Sequence, residues 1–165
     1  MPTGSTAPPP ALIGTSGTPA GGAPPPPSTV DGRDAIAVSR AVVEIKYTMD
    51  TAIDASGWDA VLRAEPFLAP EYFAKLRDNP PVRSPGGEWM EWDAHEAYTI
   101  CQVDSADETG KPEDTPFRAF HAWRVAVTAT GRDGWSGQSP DAVVYVVLER
   151  ASATAEWKVT RIDTR

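Results

Sequence analysis

The stretch Phe117–Thr130, FRAFHAWRVAVTAT, constrains the fold more than any other part of the chain. Its odd positions Ala119, His121, Trp123, Val125, Val127 and Ala129 are apolar apart from the histidine. Its even positions, Arg118, Arg124, Thr128 and Thr130 among them, are mostly polar, with Phe120 the bulky exception. Period-two alternation over such a length predicts a half-buried β-strand with one face on a core. At about 3.3 Å per residue the run would extend roughly 40 Å, so a bend is expected.

Not all of the 165 residues can share that core. Residues 1–30 hold 9 of the 17 prolines and no charged side chain. Such a composition offers too little apolar surface to offset its ordering entropy, so 1–30 is expected to be a disordered linker with stiff stretches at Pro8–Pro10 and Pro24–Pro27. The domain is expected to occupy 31–165, a length that supports a single core. Starting on an uncharged linker also suggests that a further segment precedes it. No window is apolar enough to cross a membrane, and the start lacks the basic and apolar regions of a signal peptide.

The net charge of −8 is concentrated. Residues 88–114 carry nine acids against Lys111, and the other 14 acids are matched by 14 bases. An acidic surface argues against nucleic-acid binding. Two readings stand for this run: a solvated loop, or a contact surface for a basic partner. The one cysteine, Cys101, excludes an internal disulfide and a thiolate metal cluster, and reads as a small buried apolar residue. No cofactor is implied.

Along the chain, Asp31 and Asp34 suit a helix start. Val38, Val42, Ile45, Met49 and Ile53 form one apolar stripe, predicting a helix over 32–56 ended by Gly57 in a left-handed cap. Trp58–Arg63 reads as a helical turn or two, and Pro70 opens a short helix through Arg77. Residues 80–88 read as a loop. Strands are then expected at 96–103, 117–130, 141–150 and 156–163. The third, apolar on both faces, should be central, and the last should place Trp157 and Val159 on one side. Helices segregated from strands predict an α+β fold, with a long N-terminal helix and short helices on a curved four-stranded antiparallel sheet, a cone.

The long helix, the Ala69-Pro70-Glu71-Tyr72 helix start and the terminal Trp157-Lys158-Val159 strand resemble the nuclear-transport-factor-2-like (cystatin-like cone) superfamily over about residues 33–164. With the Pro-rich linker and the segment PFLAPEYFAKL, Pro66–Leu76, the chain is similar to extracytoplasmic domains of conjugation (type IV secretion) and mammalian-cell-entry-associated membrane proteins. That resemblance implies a non-catalytic assembly domain, tethered outside a membrane by a helix upstream of this chain. It also implies protein partners, other copies of itself among the candidates, and no catalytic residues.

The superfamily also contains isomerases and dehydratases, and binders of small apolar ligands, so a cone pocket is the alternative. It would need an acid/base pair in an apolar cavity. His121 beside Trp123 is the best candidate, then His95 or Glu96. Two isolated histidines do not make a metal site. Trp58, Phe67, Tyr72, Tyr98, His121 and Trp123 are pocket candidates or core. Trp89 and Trp92, in the acidic context GGEWMEWD, are expected to be exposed. With Glu91, Asp93 and Glu96 they are the interface candidates. Gly131, Gly134 and Gly137 match no phosphate-binding loop and read as turn glycines.

Overall fold

The computed structural model describes residues 17–82 and 86–165. Its framework is an antiparallel sheet of β1 (Tyr98–Ser105), β2 (Arg118–Thr130), β3 (Ser136–Gln138), β4 (Ala142–Glu149) and β5 (Lys158–Thr164). The order is β1-β2-β4-β5, with β3 also paired to β2. The alternating run therefore becomes the strand that organises the sheet. β2 pairs with β4 from Arg118 to Val125 and with β1 from Trp123 to Thr130. β4 is interior, as its apolar run implied, and β3 is a fifth strand that the turn-like sequence of 131–140 concealed.

Four helices cover one side: α1 (Ala35–Tyr47), α2 (Gly57–Leu62), α3 (Pro70–Asp78) and α4 (Gly87–Ala94). The arrangement is α+β. Val38, Val42 and Ile45 of α1 meet Trp123, Val125, Val144, Val146, Leu148 and Val159 in the main core. Trp123 is buried, and its indole N–H donates to the Ser39 hydroxyl at 3.0 Å. Trp157 and Val159 are both buried on one side, as expected, but β5 begins only at Lys158, so Trp157 stands just ahead of the strand. Pro70 opens α3 at a position where a missing N–H costs nothing.

The first helix is shorter than its apolar stripe suggested. It starts one turn later, because the Asp34 carboxylate, not that of Asp31, accepts from the N–H groups of Ile36 and Ala37. It stops at Tyr47, before Met49 and Ile53. The Thr48 hydroxyl donates to the Glu44 carbonyl, Asp54 accepts from the Asp50 N–H, and Asp50 accepts from the Ala52 N–H. These side chains offer the backbone a turn in place of further helix. Gly57 is not a left-handed cap but the first residue of α2, capped by the Ser56 hydroxyl.

Residues 17–30 of the expected linker form a strap against the domain. Pro19 is buried, the Ala20 N–H donates to Asp50 at 2.9 Å, and Val30 packs on the main core. Proline-rich backbone loses little entropy on docking, so few contacts suffice to hold it. Gly21 lies so close to the Thr99 carbonyl that any Cβ would stand 2.2 Å from its oxygen. This strap, residues 17–30, can pass there only with glycine at position 21. Residues 1–16, with Pro8–Pro10, lie outside the described part.

Burial of the Trp123 indole sets the first expectation. Trp123→Ala should cost about 3–5 kcal/mol in denaturant melts, from lost burial and the cavity left behind. A loss below about 1 kcal/mol would mean that the indole does not anchor the core.

Candidate interaction surface

Helix α4 occupies part of what reads as loop in the sequence. The W-x-x-W spacing puts Trp89 and Trp92 on one helical face. That face is buried, so the expected exposure of the two indoles is corrected: they are 8% and 6% exposed, with ring centroids 6.1 Å apart. They form a second apolar core with Met49, Ala60, Ala97 and Ala129, bordered by Trp135. An eight-residue helix is not stable alone, so its aromatic pair serves to dock it.

The opposite face of α4 exposes Glu88, Met90, Glu91, Asp93 and Ala94, with Met90 65% exposed. Both ends of the helix are fastened. Glu88 accepts from the Ser139 hydroxyl at 3.0 Å. His95, just past the C-terminus, lies 2.6 Å from Asp133 through Nδ1 and stacks flat on Trp135, centroids 4.6 Å apart. The hydrogen bond from His95, with that of the Trp135 amide, holds the Asp133 carboxyl below its usual range. Glu96 is exposed and takes φ 46°, uncommon without glycine, while its carbonyl accepts from Arg132. Glu91, Asp93 and Glu96 form no ion pair among the described residues.

The rest of the acidic run has a different use. β1 ends at Ser105, leaving the edge of β2 from Arg118 to Ala122 without a strand beside it. The loop 106–115 supplies the partners. Ala106 N–H donates to the Ala122 carbonyl, and the Ala122 N–H donates to Glu108 at 2.7 Å. The Phe120 N–H donates to Asp114 at 2.9 Å, and Lys111 Nζ donates to the Phe120 carbonyl at 2.6 Å. Thr115 serves both groups of Arg118, through its hydroxyl and its N–H. Glu108 and Lys111 also pair with each other at 2.7 Å. Burial works against both charges, but the Lys111 contact and the Ala122 amide hold Glu108 low, while Glu108 and Asp114 hold Lys111 high. Both stay ionised as edge caps.

The pocket candidates do not converge. Phe67 and Trp123 belong to the main core. Tyr98 lies under the Arg132 guanidinium at 5.5 Å. His121, opposite Val146 in the register, sits 3.5 Å from Glu108 in a cleft of about 300 Å³ beneath the acidic loop, not in a cavity with Trp123. Trp58 and Tyr72 line a separate cleft of about 380 Å³ with Tyr47, Met49 and Ile162. Its polar groups are Lys46, Thr164 and the tyrosine hydroxyls, and that of Tyr72 already accepts from the Ile162 N–H. Cys101 is half-buried, and burial pushes its thiol up, away from the reactive thiolate.

Sequence reasoning missed the ion pairs beside this surface. Asp50, 1% exposed, takes both guanidinium nitrogens of Arg132 at 2.9 Å and the amides of Ala20 and Ala52. Arg63 holds buried Asp54 and donates to the Thr48 carbonyl. Burial alone would raise the Asp50 carboxyl; Arg132 and the two amides outweigh it and hold it below the ordinary value. The only hint in the sequence was the Asp-rich segment Asp50–Asp54, which the helical stripe disguised.

No family model matches the chain, and no curated protein does. Among solved structures the chain is similar to a periplasmic fragment of TraM, with 11% identity and a TM-score of 0.52, over 82% of this chain and 97% of that one. It is also similar to an IcmL-like type IV secretion system protein from Legionella pneumophila subsp. pneumophila str. Philadelphia 1, at 6% identity and a TM-score of 0.49, over 78% and 87%. At 11% identity the likeness to the TraM fragment is one of fold alone.

Two expectations follow. Trp89→Ala with Trp92→Ala should lower stability by at least about 3 kcal/mol in urea melts, because both indoles are buried; unchanged melting would mean that α4 is not held by them. Asp50→Asn should cost about 2–4 kcal/mol at neutral pH, since Arg132 keeps part of its hydration. The folded carboxyl titrates below the unfolded one, near 4. Its stabilisation is thus complete above about pH 4 and is lost as pH falls through the lower folded value. Melts between pH 2 and 7 should show the variant converging on wild type at the acid end; a constant difference would contradict this linkage.

Proposed function

We propose that the chain is a non-catalytic interaction and assembly domain of the nuclear-transport-factor-2-like kind. It serves a conjugation or type IV secretion machine on the outer side of a membrane and presents the acidic face of α4 to a basic protein partner. The observation that carries this reading is the way α4 is held. Its aromatic side is spent on docking, both ends are fastened, and Met90, Glu91 and Asp93 are left outward on a fixed platform. An exposed methionine among unpaired acids suits a surface that combines apolar contact with electrostatic selection. The fold likeness to the periplasmic TraM fragment supports the setting. The alternative, a small apolar ligand in the cone, has the cleft at Trp58 and Tyr72 in its favour.

An immobilised oligolysine peptide tests the acidic face. Binding should weaken with salt and fall several-fold in Glu91→Lys with Asp93→Lys, while melting stays within about 0.5 kcal/mol of wild type. Asp107→Lys with Glu113→Lys, the same change of net charge in the acidic loop, should have a much smaller effect. Equal losses from the two pairs would reduce the signal to net charge and sink the α4 reading.

A further inference from the structure

The sheet edges differ in how they are closed. The free edge of β2 is capped by loop 106–115, as described above. The outer edge of β5 meets Ala69, whose N–H donates to the Val159 carbonyl, and Tyr72, whose hydroxyl accepts from the Ile162 N–H. Among the described residues, the backbone at the outer edge of β1 is met only at its start, where the Thr99 N–H donates to the Met49 carbonyl and Gly21 abuts the Thr99 carbonyl. Outward-facing backbone groups in an antiparallel edge strand fall on alternate residues. Thr99 therefore sets the parity, and the outward groups beyond it belong to Cys101, Val103 and Ser105. None of these has a backbone or side-chain partner on that side among the described residues. Strap residues 21–25 run past Cys101 with a cleft of about 170 Å³ between.

We propose that β1 pairs antiparallel with β1 of a second copy of this chain, on a two-fold axis at Val103, joining two sheets into one. The register follows by elimination. Outward residues must face outward residues, so the axis can fall at Gln102, Val103 or Asp104. An axis at Gln102 would set Ser105 against Thr99, whose backbone is already taken. An axis at Asp104 would set two carboxylates directly opposite, which is unfavourable. An axis at Val103 matches Cys101 with Ser105 and Val103 with itself. Each of these pairs can exchange two backbone hydrogen bonds. On the outer face it sets Gln102 across from Asp104, an amide donor against a carboxylate. Gln102 already donates to Asp104 of its own strand at 3.2 Å, so the two groups are suitably placed to re-pair. It also sets Ile100, 52% exposed, against Ala106 and covers it.

This interface uses residues outside α4, so its test is independent of the function proposed above. Sedimentation equilibrium of the full 165-residue chain should show a monomer–dimer equilibrium. Ser105→Pro removes an outward N–H in each copy and none of the β1–β2 ladder, and should weaken dimerisation about tenfold or more. Gln102 is exposed, so its substitution spares folding. Gln102→Glu should weaken the dimer by setting like charges opposite, and Gln102→Lys should tighten it. A strictly monomeric chain at several hundred micromolar, or a dimer indifferent to both Gln102 substitutions, would overturn the proposal, even if Ser105→Pro failed to fold.

Discussion

The backbone N–H and C=O groups of β2 point alternately to its two sides and each needs a partner, and much of the rest of the molecule follows from meeting that demand. Thirteen residues of strand are too many for one neighbour. β4 serves one side over the first part, β3 continues beside Thr128–Thr130, and β1 serves the other side over the second part. What is left, Arg118 to Ala122 on the β1 side, is met by a loop rather than by a strand: Glu108, Lys111, Asp114 and the Thr115 hydroxyl serve four of the six groups, and the N–H groups of Ala106 and Thr115 serve the other two. A lysine, two carboxylates and a threonine there stand in for a sixth strand. They leave an edge bristling with charge, which discourages stray pairing.

Asp50 plays a comparable role for the non-sheet parts. One carboxylate ties the strap at Ala20, the loop after α1, and the turn that carries Arg132. Because Arg132 also holds the Glu96 carbonyl, the same charge fixes the chain leaving α4. The acidic face of that helix is thus oriented by a pair it does not itself contain. The cost of burying Asp50 is met by four donors, which is why the group stays ionised.

How much of this could be read in advance depended on range. The alternation of Phe117–Thr130, the pairing of Trp157 with Val159, and Pro70 at a helix start are local patterns, and they stand in the structure. The end of α1 was hidden because Met49 and Ile53 continue the stripe, while the competing bonds come from Thr48, Asp50 and Asp54. Helix α4 was hidden because it exists through tertiary packing of Trp89 and Trp92, and their spacing of three was the only trace of it. The strap was hidden because composition reports entropy, not the fit of Gly21 against Thr99. The scatter of the pocket candidates has the same cause: aromatic content says how much surface will be covered, not which residues will share a cavity.

The docked strap also decides how the domain bears load. A pull on the chain at Gly17 does not reach α1 first. It is carried through the buried Pro19 and the Ala20–Asp50 hydrogen bond into the loop after α1, and through Arg132 into the hairpin at the end of β2. The strap lies beside the Thr99 end of β1 before it turns towards α1. Tension is therefore shared among several polar contacts close to the sheet rather than peeling the helix from its core. A pull from upstream would thus load the Ala20–Asp50 contact before it loads Val30 and the apolar core behind it.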